Sequence, residues 1–158
     1  LMFSILFSCG GSLSEEQRKE MREKMEENKI IRVTDAEITE AAFAEGRKVV
    51  RKLDSLLGDS LRMDSIINHY DGDIRFIKPG EGSIHLLEEQ LIDAYLSDPS
   101  GSFQDNVQEV RNSPGGFDTL LYTKPVMNKM EDGTDVLVGV WNIWLPKKQL
   151  VRQIGKRQ

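Results

Sequence analysis

Cysteine is nearly absent. The 158-residue chain holds one, Cys9, so an internal disulfide is excluded, and so is any metal centre built on paired thiolates. Histidine is almost as scarce. His69 and His85 are the only two, and neither has a second histidine or a carboxylate at a usual metal-ligand spacing. Asp71 and Asp73 lie near His69, but Asp71-Gly72-Asp73 reads as a turn, and Arg75 stands where a calcium loop needs its next ligand. Both histidines are therefore read as surface or loop residues, with no metal site expected. Basic charge is also in deficit: 21 Lys and Arg face 26 Asp and Glu, for a net charge of −5. A duplex-binding protein carries a basic face, so nucleic acid is not an expected partner. Signatures of catalysis are missing too. Ser8, Ser12 and Ser14 sit in no nucleophile elbow. No Lys-Ser/Thr follows Gly10-Gly11 or Gly115-Gly116 as a phosphate loop requires. The expectation is a protein that is not an enzyme.

What is present begins at the N-terminus. Leu1 to Ser8 are apolar or small and uncharged, and far short of the roughly 20 residues that span a bilayer. They read as the end of a signal-peptide apolar region. Leu6-Phe7-Ser8-Cys9 fits a lipobox, with a branched apolar residue three before the cysteine and a small one just before it. Cys9 is then the lipidation site, and Gly10-Gly11-Ser12 a flexible tether. A chain that starts at Leu1 leads us to expect further residues upstream. Lipidation anchors a protein to a membrane without spanning it. The alternative is a free cysteine in an N-terminal core strand or helix. Gly10 rather than Asp follows Cys9, which leans the expectation towards the outer membrane of a bacterial envelope, with either its periplasmic or its surface face open.

Residues 1–12 are thus a signal remnant with lipobox and tether, 13–32 a charged helical spacer, and 33–158 the folded domain. Ser14 to Lys29 is strongly helix-forming and almost wholly charged, with only Met21 and Met25 as a thin apolar stripe. It reads as a spacer, with a helix that binds an envelope partner as the alternative. Thr34 and Glu37 form a capping box, with Val33 and Ile38 as a hydrophobic staple, for a helix from Asp35 to about Leu57 closed by Gly58. A shorter helix covers Leu61 to His69. Ile74 to Ile77 is a strand ended by Pro79-Gly80. Ile84 to Leu96 is a helix with Ile84, Leu87, Leu91, Ala94 and Tyr95 on one side. Val107 to Val110 is either strand or helix. Phe117 to Thr123 and Val136 to Leu145 are strands, with a hairpin turn at Glu131-Asp132-Gly133-Thr134. The second is apolar on both faces and so belongs at the centre of a sheet, with Leu137, Trp141, Ile143 and Leu145 opposite Val136, Val138, Val140 and Trp144. Lys147 to Ile154 closes the domain as a helix. Helices followed by an antiparallel sheet make an α+β domain.

Several stretches in combination carry a resemblance. They are Arg75-Phe76-Ile77-Lys78-Pro79, Leu91-Ile92-Asp93-Ala94-Tyr95 and Asp105-Asn106-Val107-Gln108, then Asp118 to Val126 (DTLLYTKPV) and Gly139 to Lys148 (GVWNIWLPKK). From about Asp35 to Ile154 the chain resembles the Tll0287-like (DUF3365) family of periplasmic PAS-like domains. The resemblance implies a PAS-like fold: a long N-terminal helix on an antiparallel sheet, covering helices, and a pocket between sheet and helices. Many members of that family carry covalent c-type haem on a Cys-x-x-Cys-His motif between the last two strands. Here that connection is Met127 to Asp135, with no cysteine and no histidine, so covalent haem is excluded; non-covalent haem is not expected either, nor any other cofactor.

If a pocket exists, Phe76, Tyr95, Tyr122, Trp141, Asn142 and Trp144 are its expected lining. The bland alternative for the aromatics is a place in the core. Asn142, polar within an apolar run, either meets a buried partner or points into the pocket. Alternation puts Trp141 and Trp144 on opposite faces of their strand. Two functions compete, with a degenerate redox protein holding non-covalent haem as a distant third. One is a membrane-anchored sensing or binding module for a small apolar or aromatic ligand. The other is a structural or interaction lipoprotein whose core is filled by its own side chains.

Overall fold

The computed structural model describes residues 14–27, 33–56, 58–82, 85–98, 103–111 and 118–156. Contacts divide the chain into two units, Leu1–Arg32 and Val33–Gln158. Cys9 and its tether lie outside the described residues.

In the first unit, helix α1 spans Glu15–Glu27. Ser14 and Gln17 cap it reciprocally: the Gln17 amide donates to Ser14 Oγ (3.2 Å) and the Ser14 amide to Gln17 Oε1 (3.1 Å). Lys24 pairs with Glu20 at 3.3 Å, one turn apart, and Met21 is exposed.

The second unit contains helices α2 (Asp35–Asp54) and α3 (Ser60–Asn68), strand β1 (Asp73–Ile77), helix α4 (Leu86–Ser97), strands β2 (Asn106–Val110), β3 (Thr119–Lys129) and β4 (Asp135–Pro146), and helix α5 (Lys147–Gly155). The fold is α+β. The sheet is antiparallel, in the order β1-β4-β3-β2. The capping box at the start of α2 is present: the Glu37 amide donates to Thr34 Oγ1 (3.2 Å) and the Thr34 amide to Glu37 Oε2 (2.8 Å). The helix ends at Asp54, one turn short of the expected Leu57. Ser55 caps it, and Gly58 takes φ +100° in the turn to α3 rather than closing α2.

One face of the sheet packs on α2. Ile38, Ala42, Val49, Val50 and Leu53 of α2 meet Ile74, Leu120, Tyr122, Trp141, Ile143 and Leu145 of the strands and Leu150 of α5 in a single buried cluster. Each such side chain contributes about 1.5–3 kcal/mol on burial. Gly46 of α2 lies flat against the Tyr122 ring, where a Cβ would overlap three ring carbons. The opposite face carries a smaller cluster, Ile77, Ile92, Leu137 and Val140, beneath α4.

Three expectations are corrected. Leu137 does not share a face with Trp141. The register jumps from Val126–Gly139 to Met127–Leu137, so Val138 bulges without a partner and Leu137 turns to the α4 side. Strand β3 does not stop at Thr123. It runs through Pro125 because β2 pairs only as far as Thr123, and proline is tolerated on the free edge beyond. Helix α4 does not bury the face expected of it: Glu88 and Ile92 are fully buried, whereas Ala94 is exposed. Val107 to Val110, left open between strand and helix, is strand β2.

Candidate functional site

A row of polar residues crosses the sheet on the α4 side. Cross-strand partners project from the same face. Arg75 of β1 pairs with Asn142 of β4, Asn142 with Thr123 of β3, and Thr123 with Asn106 of β2. Of the rows on either side, one is apolar, with Ile77, Val140 and Pro125, and the other is apolar only at its middle, running Asp73, Trp144, Leu121, Gln108. Asn142 and Thr123 have no exposed surface.

Helix α4 lies over this row and supplies Glu88, also without exposed surface. Trp144 Nε1–H donates to Glu88 Oε1 at 2.7 Å. Arg75 Nη2 stands 3.2 Å from the same oxygen and 3.0 Å from Asp73 Oδ2, so one guanidinium faces two carboxylates. The guanidinium carbon sits 5.9 Å from the Trp144 ring centroid, and the His85 ring packs against the same indole at 4.7 Å. One turn past Ile92, Tyr95 Oη donates to the Gln104 carbonyl (3.1 Å), which leaves it to accept from Thr123 Oγ1 (3.1 Å). Burial pushes the Tyr95 hydroxyl above its ordinary pKa.

Not every polar atom in the row is satisfied. Asn142 Nδ2 donates weakly to the Val140 carbonyl at 3.5 Å, and Asn142 Oδ1 has no partner. Arg75 Nε has none either, and Arg75 Nη2 attracts its two carboxylates by charge without hydrogen-bond geometry to either. Most buried polar atoms are paired, so unmet donors and acceptors on adjacent residues are informative.

The six residues expected to line a pocket are divided by the sheet. Tyr95, Asn142 and Trp144 lie on the α4 side. Phe76, Trp141 and Tyr122 lie on the α2 side and are core residues. Phe76 packs on Trp141 at 4.8 Å, and Phe43 meets Tyr122 edge-on at 6.3 Å. Tyr122 Oη–H donates to Asp105 Oδ2 (3.0 Å), a carboxylate that also takes a bidentate contact from Arg47 at 2.6 and 3.0 Å. Those bonds hold the Asp105 carboxyl below its ordinary pKa, while burial pushes the Tyr122 hydroxyl up. An open groove of about 560 Å³ runs along α2 by Phe43, Thr39 and Arg47, and one of about 230 Å³ by Arg47, Val50, Asp105 and Lys124. Neither is lined by any of the six.

Sequence reasoning missed Glu88, Arg75 and Thr123 as site residues. Arg75 carried one signal, a charge inside the apolar alternation of Ile74-Arg75-Phe76-Ile77. Glu88 carried none, since Glu89 beside it looks the same. The residues present do not fit covalent haem: the β3–β4 hairpin holds neither cysteine nor histidine, His69 caps α3 and His85 caps α4. Among the described residues no group of three or more His, Cys, Asp or Glu is arranged to hold a metal ion, and no helix is long and apolar enough to cross a membrane. No family model matches the chain, nor does any curated protein or solved structure.

Proposed function

We propose that this chain is a non-catalytic sensing or binding module for a small ligand. It would be PAS-like in fold, without covalent haem, and held in the cell envelope by a lipid on Cys9, with the outer membrane favoured. The observation that carries ligand binding is the polar row Arg75–Asn142–Thr123 enclosed beneath α4, with unmet hydrogen-bonding atoms at its centre. A buried polar group without a partner costs about 1–3 kcal/mol, a cost that a ligand presenting the complementary atoms removes. A long helix on one face of an antiparallel sheet, with a connecting helix on the other, supports the PAS-like reading. The lipobox Leu6 to Cys9 and its Gly-Ser tether support the anchor.

A second reading, an interaction lipoprotein without a ligand, is favoured by the closed α2 face, where Tyr122, Ile143, Leu53 and Ala42 have no exposed surface. Mass spectrometry of the full chain purified from its own envelope separates the two. The expected result is an acylated Cys9 and, under native conditions, a retained small molecule. An unmodified Cys9 defeats the anchor, and a consistently unliganded protein leaves the interaction reading in place.

A further inference from the structure

The chemistry of the row narrows what binds there. This step rests on the ligand-binding reading above. The enclosed charges beneath α4 match one to one, Arg75 against Glu88, while Asp73, the second carboxylate on that guanidinium, is exposed at the edge. An anion would compete with two carboxylates for one guanidinium. A cation would meet that guanidinium. Either would enter a desolvated site without a free counter-charge. The atoms without a hydrogen bond are instead an acceptor, Asn142 Oδ1, and the Arg75 donors Nε and Nη2, of which Nε has no carboxylate beside it, on directly paired residues of neighbouring strands. The middle of each flanking row is apolar: Trp144 and Leu121, set between Asp73 and Gln108, in one direction, and Ile77 and Val140 in the other. Helix α4 closes the site through two buried side chains, Glu88 and Ile92, the Tyr95 bond to Thr123 and the packing of His85 on Trp144. It is the element that must lift to admit a ligand.

We infer that the site takes a neutral small molecule that joins an adjacent donor and acceptor, such as an amide, to an apolar body. The donor meets Asn142 Oδ1 and the acceptor meets Arg75 Nε. The apolar body lies along Trp144, between α4 and the sheet.

Three probes of one shape test this: benzamide, its anionic counterpart benzoate, and toluene. Each is titrated into the 158-residue chain while the Trp144 indole N–H and the Asn142 side-chain amide are followed by NMR. Benzamide is expected to shift both signals in a saturable way and to bind at least about tenfold more tightly than the other two. Asn142→Leu, which keeps the volume and removes the acceptor, is expected to abolish the benzamide shifts in a folded protein. If benzoate or toluene moves the same signals as strongly as benzamide, the neutral-amide inference is overturned while ligand binding at this face stands. If all three leave both signals still, the inference and the choice of this face fall together. The comparison of the three probes needs no variant, so it decides the question even where Asn142→Leu does not fold.

Discussion

Glu88→Ala removes the carboxylate that ties α4 to the sheet. Its cost can be worked from the geometry. Glu88 is fully buried, and one of its oxygens serves both Trp144 Nε1 at 2.7 Å and Arg75 Nη2 at 3.2 Å. Truncation leaves the indole N–H buried without that acceptor, a loss of about 1–3 kcal/mol. Breaking a buried ion pair by removing one partner costs about 3–5 kcal/mol. The lower end applies here, because the Arg75 side chain keeps 18% exposure and retains Asp73. The two losses share one oxygen, so their combined cost is about 3–4 kcal/mol, a large part of the roughly 5–15 kcal/mol typical of a domain. Urea unfolding followed by tryptophan fluorescence reads it. With a slope of about 1–3 kcal/mol per molar for a small domain, the midpoint falls by about 1–4 M. The apolar pair Arg75→Met with Glu88→Leu is expected to recover the ion-pair share of the loss, because it strands neither charge, but not the share of the Trp144 N–H. A cost below about 1 kcal/mol for Glu88→Ala, or a double variant no better than the single one, would show that the pair is not desolvated.

Two further outcomes follow from the α2 face. Gly46→Ala gains up to about 1 kcal/mol of helix propensity but drives a methyl into the Tyr122 ring, whose hydroxyl is pinned by Asp105. A net loss of about 1–3 kcal/mol is expected in thermal melts, relieved when Tyr122→Leu is added, and a stabilised Gly46→Ala protein would contradict the packing. The Asp105 carboxyl is held below its ordinary pKa chiefly by Arg47, so its contribution to stability is present above the unfolded value of about 3.9 and is lost as pH falls through the lower folded value. The stability difference between the wild type and Asp105→Asn is therefore expected to shrink from pH 7 to pH 3. An unchanged difference in urea midpoints would refute the assignment.

Local order was legible in the sequence because it depends on near neighbours. Thr34 and Glu37 cap α2 through bonds three residues apart, Gly133 turns the β3–β4 hairpin at φ +86°, and the run from Val136 to Leu145 could only be a central strand. The Met127 to Asp135 connection was legible in the same way, since it holds no cysteine and no histidine and so no Cys-x-x-Cys-His motif.

The site depended on residues distant in the chain. Glu88 meets Trp144 across 56 positions, and no local pattern separates it from Glu89. The expected pocket lining is divided between two faces for a reason of the same kind. Tyr122 and Trp144 both belong to buried strands, but the register pairs Tyr122 with Ile143 and Leu121 with Trp144, so the two rings face opposite sides of the sheet. The bulge at Val138 likewise turned Leu137 away from the face that alternation assigned to it. Side-chain period along one strand is a property of that strand alone. Which residues of different strands and helices share an enclosed face is set by register and helix placement, and these are decided only when the whole core packs.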